Sequence, residues 1–221
     1  MRKTVLTSEL FECKVEYLNT LFLTHFYPWE MLPDISSHIK TLKDSGKLSD
    51  FSEISENVFI GKNVKIYPSA VIEAPAIIGD DTEIRPGAFI RGNVITGRKC
   101  VIGNSTELKN SILLDNVQVP HYNYVGDSIL GNFAHMGAGS ICSNLKSDKT
   151  SVVVHGDEEF QTGLRKVGAI LGDHADVGCG CVLNPGTVIG KNTSVYPLTP
   201  LRGVYPSNCI VKNADTIVLR K

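Results

Sequence analysis

Three short stretches carry more chemistry than a structural repeat needs: Ile102-Gly-Asn-Ser-Thr-Glu-Leu-Lys-Asn110, His121-Tyr-Asn-Tyr-Val-Gly-Asp127 and Met136-Gly-Ala-Gly-Ser-Ile-Cys-Ser-Asn144, with Arg85-Pro86-Gly87 ahead of them. An imidazole titrates near neutrality, so a histidine can carry a proton during a transfer reaction. Arginine, lysine and a tyrosine hydroxyl are the groups that hold a phosphate. Metal chemistry finds less support. The cysteines Cys13, Cys100, Cys142, Cys179, Cys181 and Cys209 are scattered, and Cys179 with Cys181 is too little for a zinc site. They read as buried, reduced thiols.

These stretches sit within a repeat of six. Counted from Ile60, the positions are Ile60, Ile66, Ile72, Ile78, Ile84, Ile90, Thr96, Ile102, Leu108, Leu114 and Pro120, nine of eleven being Ile or Leu. The pattern slips, resumes at Leu130 and Met136, and returns at Leu171, Val177, Leu183, Ile189, Val195 and Leu201. Glycine often follows the aliphatic position, as in Ile78-Gly79 and Ile189-Gly190. A period of six suits short extended segments that end in tight corners, where glycine is expected. Three sixes close one coil, and coils stack about 4.8 Å apart. Arg85, Arg91, Lys109 and His121 each follow a counted position. Arg85 and His121 are therefore expected on one face, two coils or about 10 Å apart. Arg91 is expected directly beneath Lys109.

Two regions do not repeat. Residues 1–52 form an N-terminal cap, partly helical, with a helix starting at Asp34 as N-cap and running through Ile35, Ile39 and Leu42 to Gly46. Its expected role is to cover the strand edges of the terminal coil. Residues 53–212 form the repeat domain, interrupted by an inserted, hairpin-like arm at 143–167, and 213–221 form a C-terminal tail. Net charge is −1, from 22 basic and 23 acidic residues, which argues against a nucleic-acid or anionic-membrane partner. No run of eighteen apolar residues could span a membrane, and Met1-Arg2-Lys3 leads into charges rather than a signal sequence. A cytoplasmic protein is expected.

The motif series resembles the hexapeptide-repeat acyltransferases, and within them the acetyltransferase half of the bifunctional enzymes that make UDP-N-acetylglucosamine. The likeness covers roughly residues 55–195 and includes the 12-residue spacing from Lys109 to His121. It implies an all-β solenoid, a left-handed parallel β-helix assembled as a homotrimer with sites shared between subunits. It also implies acetyl-CoA as co-substrate, no metal, and an amino-sugar phosphate or sugar nucleotide as acceptor. Carried over residue by residue, the general base falls on His121, and the asparagine beside the reacting amine on Asn144. The sugar-phosphate ligands fall on Arg85, Lys109 and Tyr124, and Ala138 and Cys179 line the acetyl-CoA groove. Arg-Pro-Gly favours Arg85 for the arginine, whereas gap-free stacking favours Arg91. Lys149 is a nearer match than Lys146 to the family's lysine after the asparagine.

The sequence also departs from that pattern. Leu145 replaces an aromatic residue, the coil around Tyr196-Pro197-Leu198 lacks small residues, and no Gly-rich phosphate loop opens the chain. Three classes compete. The first is an acetyltransferase acting on an amino sugar. The second is a non-catalytic sugar-nucleotide-binding or trimerisation module. The third, a zinc hydratase of the γ-carbonic anhydrase type, needs two histidines a few residues apart, and none in the repeat region lie within ten residues.

Overall fold

A computed structural model of the chain describes residues 3–214 and 216–220. Met1 and Arg2 of the expected cap, and Asp215 and Lys221 of the expected tail, lie outside the described residues. Each segment of about six residues contributes a strand of two to five residues and then turns. Three successive strands join three different parallel sheets, so the chain winds as a triangular β-solenoid. Pairing between coils keeps one register: Val58↔Ala76, Ala76↔Val94 and Val94↔Ser111 on one face repeat on the others. Inward side chains such as Ile78, Ile84, Ile90, Ile102, Leu108, Leu171, Leu183 and Ile189 are fully buried in one continuous core.

The corners are made differently from the expectation. The positive-φ residue is not the glycine after the aliphatic position but the residue two further on, as at Asn63, Asp81, Lys99, Asn116 and Asn192. Asparagine and aspartate tolerate this conformation. The glycines serve close stacking instead: a Cβ on Gly79 would lie 2.2 Å from the carbonyl oxygen of Gly97 in the next coil.

The six-residue count also loses phase twice before the arm. The inward residues run Ile102, Leu108, Leu113, Val119, Val125, Leu130 and Met136, with five-residue steps into Leu113 and Leu130. Leu114 therefore packs outside the solenoid, and Pro120 follows the inward Val119 as a buried residue of the strand Gln118–His121. Because Val119 and Ile84 both register with Ile102, Arg85 shares its column with Pro120, and His121 stands one residue further round, beside Asn104. The expected column of Arg85 and His121 is corrected accordingly.

The three faces differ in what covers them. On one, the middle residue of each strand points outward and is apolar: Phe59, Ile77, Ile95, Ile112, Ile129, Ile170, Val188 and Val204. The N-terminal segment lies over this face and packs Leu10, Val15, Leu18, Trp29, Met31, Ile35 and Ile39 against it, with Val152 and Val154 of the arm. The segment is thus a side plate and not the end cap expected from the sequence. At the first coil only Ser52–Ser55 adds a covering strand, and Ile66 remains 38% exposed. Ile35–Asp44 is the amphipathic helix, but Asp34 makes no side-chain cap. The preceding Pro28–Asp34 is already a 3₁₀ helix, so Asp34 lacks the extended conformation of an N-cap, and its carboxylate meets His25 instead.

The second face presents mostly polar positions, among them Lys65, Glu83, Gln118, His135 and Asp176. The third is open to solvent and carries the column Val71, Phe89, Glu107, Tyr124, Ile141, Val182 and Pro200. The arm leaves the solenoid after Asn144 and closes on itself through Val153–His155 paired with Glu159–Gln161. The expected tail contains a strand, Thr216–Leu219, that folds back on Cys209–Asn213. Its Ile217 packs on the core and covers an end that would otherwise be wet. Among the described residues no helix is long and apolar enough to cross a membrane.

Candidate functional site

The residues singled out in the sequence fall on two ridges, one on each side of the open face. The ridge shared with the polar face carries His121, Ala138 and Cys179 on successive coils. Gly139 N donates to the His121 carbonyl at 3.0 Å, Gly180 N to that of Ala138 at 2.9 Å, and Leu198 N to that of Cys179 at 2.8 Å. All three residues are exposed, which corrects the reading of Cys179 as a buried thiol; Cys13 is only half-buried. Glycines 137, 139, 178 and 180 keep this ridge low. Leu198 then stands over it, its Cδ2 2.7 Å from where a Cβ of Gly180 would be. Arg85 lies on the same ridge, two coils below, with Glu83 at 3.5 Å.

The other ridge, shared with the plated face, carries Arg91, Lys109, Asp127 and Asn144. Pairing of Ile90 with Leu108 sets Arg91 one coil beneath Lys109, and Arg91 bonds Glu107 at 2.7 Å. The centre of the ridge is the carboxylate of Asp127, only 4% exposed. It accepts hydrogen bonds from Lys109 Nζ at 3.1 Å, Asn110 Nδ2 at 2.9 Å and Asn144 Nδ2. The Asn144 amide also donates to the Tyr124 hydroxyl at 3.1 Å. Burial raises the Tyr124 pKa, and the bond from Asn144 offsets part of the rise, so the phenol stays protonated and remains a donor. Both side-chain donors of Asn144 are engaged, while its side-chain oxygen Oδ1 bonds no described residue. Gly126 makes this cluster possible, since a Cβ there would lie 2.5 Å from the Tyr124 hydroxyl and 2.8 Å from Asn144 Nδ2.

Asn110 and Asp127 face an open cavity of about 600 Å³ lined also by Leu32 and Pro33 of the plate and by Leu145, Lys149, Leu164, Arg165 and Lys166 of the arm. Lys149, Arg165 and Lys166 make no ion pair with a described carboxylate, whereas Lys109 is paired with Asp127. The unneutralised positive charge is therefore the arm's. Lys146 lines a separate cavity. Within one chain the structure joins Lys109, Tyr124, Asn144 and Arg91 on one ridge, and holds His121, Ala138, Cys179 and Arg85 on the other.

Asp127 closes the motif His121–Asp127 but matches none of the residue roles that the resemblance implies. Its signal was the 17-residue spacing of Asn110, Asp127 and Asn144, one coil each where the register pairs Lys109 with Gly126. Arg165 and Lys166 had no such signal, because the fold of the arm alone brings them there. Among the described residues, no three His, Cys, Asp or Glu side chains form a metal-holding group.

Comparison with known proteins gives three findings. Residues 72–160 match the family described as the GMPPB C-terminal domain. The bifunctional protein GlmU of Methanococcus aeolicus is 36% identical over 216 residues, covering 84% of this chain and 50% of that protein. A bifunctional sugar-1-phosphate nucleotidylyltransferase/acetyltransferase of Sulfurisphaera tokodaii is 31% identical, covering 77% and 43%. The chain thus spans about half the length of these relatives. Among solved structures, a hexapeptide transferase family protein from Anaplasma phagocytophilum superposes with a TM-score of 0.48 at 14% identity, covering 76% of this chain and 86% of that one. PerB from Caulobacter crescentus, in complex with CoA and GDP-perosamine, gives 0.41 at 19%, covering 66% and 52%.

Proposed function

The chain belongs to the hexapeptide-repeat family that includes the GlmU proteins, and from that premise we propose that it moves an acetyl group from acetyl-CoA to the amine of an amino-sugar phosphate or sugar nucleotide. The observation that carries the reading is the cluster of Lys109, Asp127, Asn144 and Tyr124 at the mouth of a cation-lined cavity. Acetyl-CoA supplies a thioester; the amine nitrogen bonds to its carbonyl carbon as the carbon–sulfur bond breaks, and the thiol leaves.

The chain's own groups divide the work. Lys149, Arg165 and Lys166 hold the acceptor's phosphate, which needs unneutralised cations. The Tyr124 hydroxyl donates to the acceptor. The free side-chain oxygen Oδ1 of Asn144 accepts an N–H of the amine and so aims its lone pair at the thioester, a task better suited to this geometry than polarising a carbonyl. His121 takes the amine's proton and returns it to the departing sulfur. Ala138 and Cys179, on the low ridge, border the path of the donor.

Since His121 and Asn144 lie on opposite edges of the open face, the site is completed between copies. A homotrimer that buries the apolar column of Val71, Phe89, Ile141 and Val182 brings the ridge of one copy to the cluster of the next.

The test is thiol release from acetyl-CoA with glucosamine 1-phosphate as acceptor, for wild type and His121→Ala. Turnover that falls at least a hundredfold in the variant is expected. No turnover together with no acetyl-CoA binding by calorimetry would sink the reading, in favour of a non-catalytic sugar-nucleotide-binding module.

A further inference from the structure

Leu145 divides the ridge between the open and plated faces into two cavities. The lower is the acceptor cavity. The upper, of about 440 Å³, is lined by Ser143, Lys146, Ser147, His155, Asn184 and Arg202 together with Asp148, and the proposed reaction leaves it without a task. Its groups come from independent parts of the chain: Lys146 from the neck of the arm, His155 from the arm's hairpin, Arg202 from the last coil.

Arg202 is held without being neutralised. Its Nη2 lies 3.2 Å from Nε2 of His155, and it forms no ion pair with a described carboxylate. Nδ1 of His155 lies 3.2 Å from Glu159. The ring therefore donates to Glu159 and accepts from Arg202, which fixes the guanidinium while leaving its charge and its other N–H groups free. Gly203 allows the approach: it has φ +86°, and a Cβ there would lie 2.6 Å from the carbonyl oxygen of His155. Lys146 adds a second cation, tethered to Thr150 Oγ1 at 2.6 Å and to Asp148 at 3.4 Å. Asp148 is the one acidic side chain lining the cavity, so the two cations exceed it.

We propose that this upper cavity is an anion subsite for a phosphate group, held by Arg202 and Lys146, with His155 as the residue that positions Arg202. Cys142 pairs with Leu183, which puts Asn184 one coil above Ser143 and the cavity directly along the ridge from Asn144. A ligand with its reacting end at Asn144 and a phosphate one to two coils away, about 5–10 Å, spans the two. Only the source of the phosphate rests on the acyl-transfer reading, because both a CoA donor and a sugar-nucleotide acceptor carry such groups.

The test is titration calorimetry on the whole chain with adenosine 3′,5′-bisphosphate and, separately, UDP. Wild type is compared with Arg202→Gln, Lys146→Ala and His155→Ala. Arg202→Gln is expected to weaken one probe about tenfold, and His155→Ala to weaken the same probe less. Loss of the bisphosphate assigns the subsite to the donor, and loss of UDP to the acceptor. Unchanged affinities in both Arg202→Gln and Lys146→Ala, or no binding of either probe by wild type, overturns the proposal. Thermal midpoints matching wild type exclude misfolding, and having two independent cation variants keeps the test decisive if one fails to fold. Binding is read rather than turnover, so a wild type that binds a probe without acetylating anything refutes the reaction and leaves the subsite standing.

Discussion

Asp127 has three donors aimed at one nearly buried carboxylate, and each donor belongs to a group with its own position to keep. Asp127→Asn removes the charge that Lys109 faces and turns one oxygen into a donor pointed at other donors. The expected cost is about 1–3 kcal/mol, read as a lowered urea midpoint, with the proposed acetyl transfer falling further than stability. Gly126→Ala separates the two effects. Its methyl displaces Tyr124 and Asn144 while leaving the Lys109–Asp127 pair in place. Turnover is expected to drop at least tenfold with little change in thermal midpoint. Unaltered kinetics would remove Tyr124 and Asn144 from the mechanism.

At the scale of elements, the strands of the plated face are buried on both sides, inward by the core and outward by the N-terminal segment. Outward Ile95 is therefore expected to behave as a core residue: Ile95→Ala should cost about 2–5 kcal/mol in chemical denaturation. Val182 on the open face, substituted by Ala, should leave the isolated chain's stability nearly unchanged. The coil architecture was legible in the sequence because the inward aliphatics recur every six residues, from Ile60 to Leu108 without a break in phase. The five-residue step to Leu113 was not, since Leu113 and Leu114 are both aliphatic and only pairing with the neighbouring coil decides between them. The same one-residue shift moved His121 out of the column of Arg85. Periodicity marks residues 1–52 as non-repeating but says nothing of what they cover, so the sequence points to an end cap where the structure has a plate. Paired apolar residues such as Phe59-Ile60 and Ile77-Ile78 held the clue. Of the site, Lys109, Tyr124 and Asn144 were visible as motif residues. The cations of the arm depend on how an irregular insertion folds back, which no spacing encodes.

At the scale of the whole molecule, the thiols act together. Desolvation pushes Cys100 and Cys142 up to about 12 and Cys13 to about 11. A raised folded-state pKa gives stability that is fully present below the unfolded value, near 8.5–9, and is lost as pH climbs toward 11–12. Urea midpoints are therefore expected to hold from pH 7 to about 8.5 and to fall steadily above it, and Cys142→Ala should flatten part of that fall. A midpoint independent of pH up to 10.5 would contradict the burial of these groups. The N-terminal plate has a consequence of a different kind. In a simple solenoid each coil touches only its neighbours, so such a molecule can fray from its ends one coil at a time. Here Lys43 reaches Asn57 of the first coil, Tyr17 bonds Thr96, and Leu10 and Glu12 bond Asp173 well beyond the arm. One continuous segment is fastened to coils that never meet each other, as a splint binds separate lengths of bone. Loosening any coil strains fastenings on the others, which turns a stack of locally stable units into a structure that holds, and fails, as one.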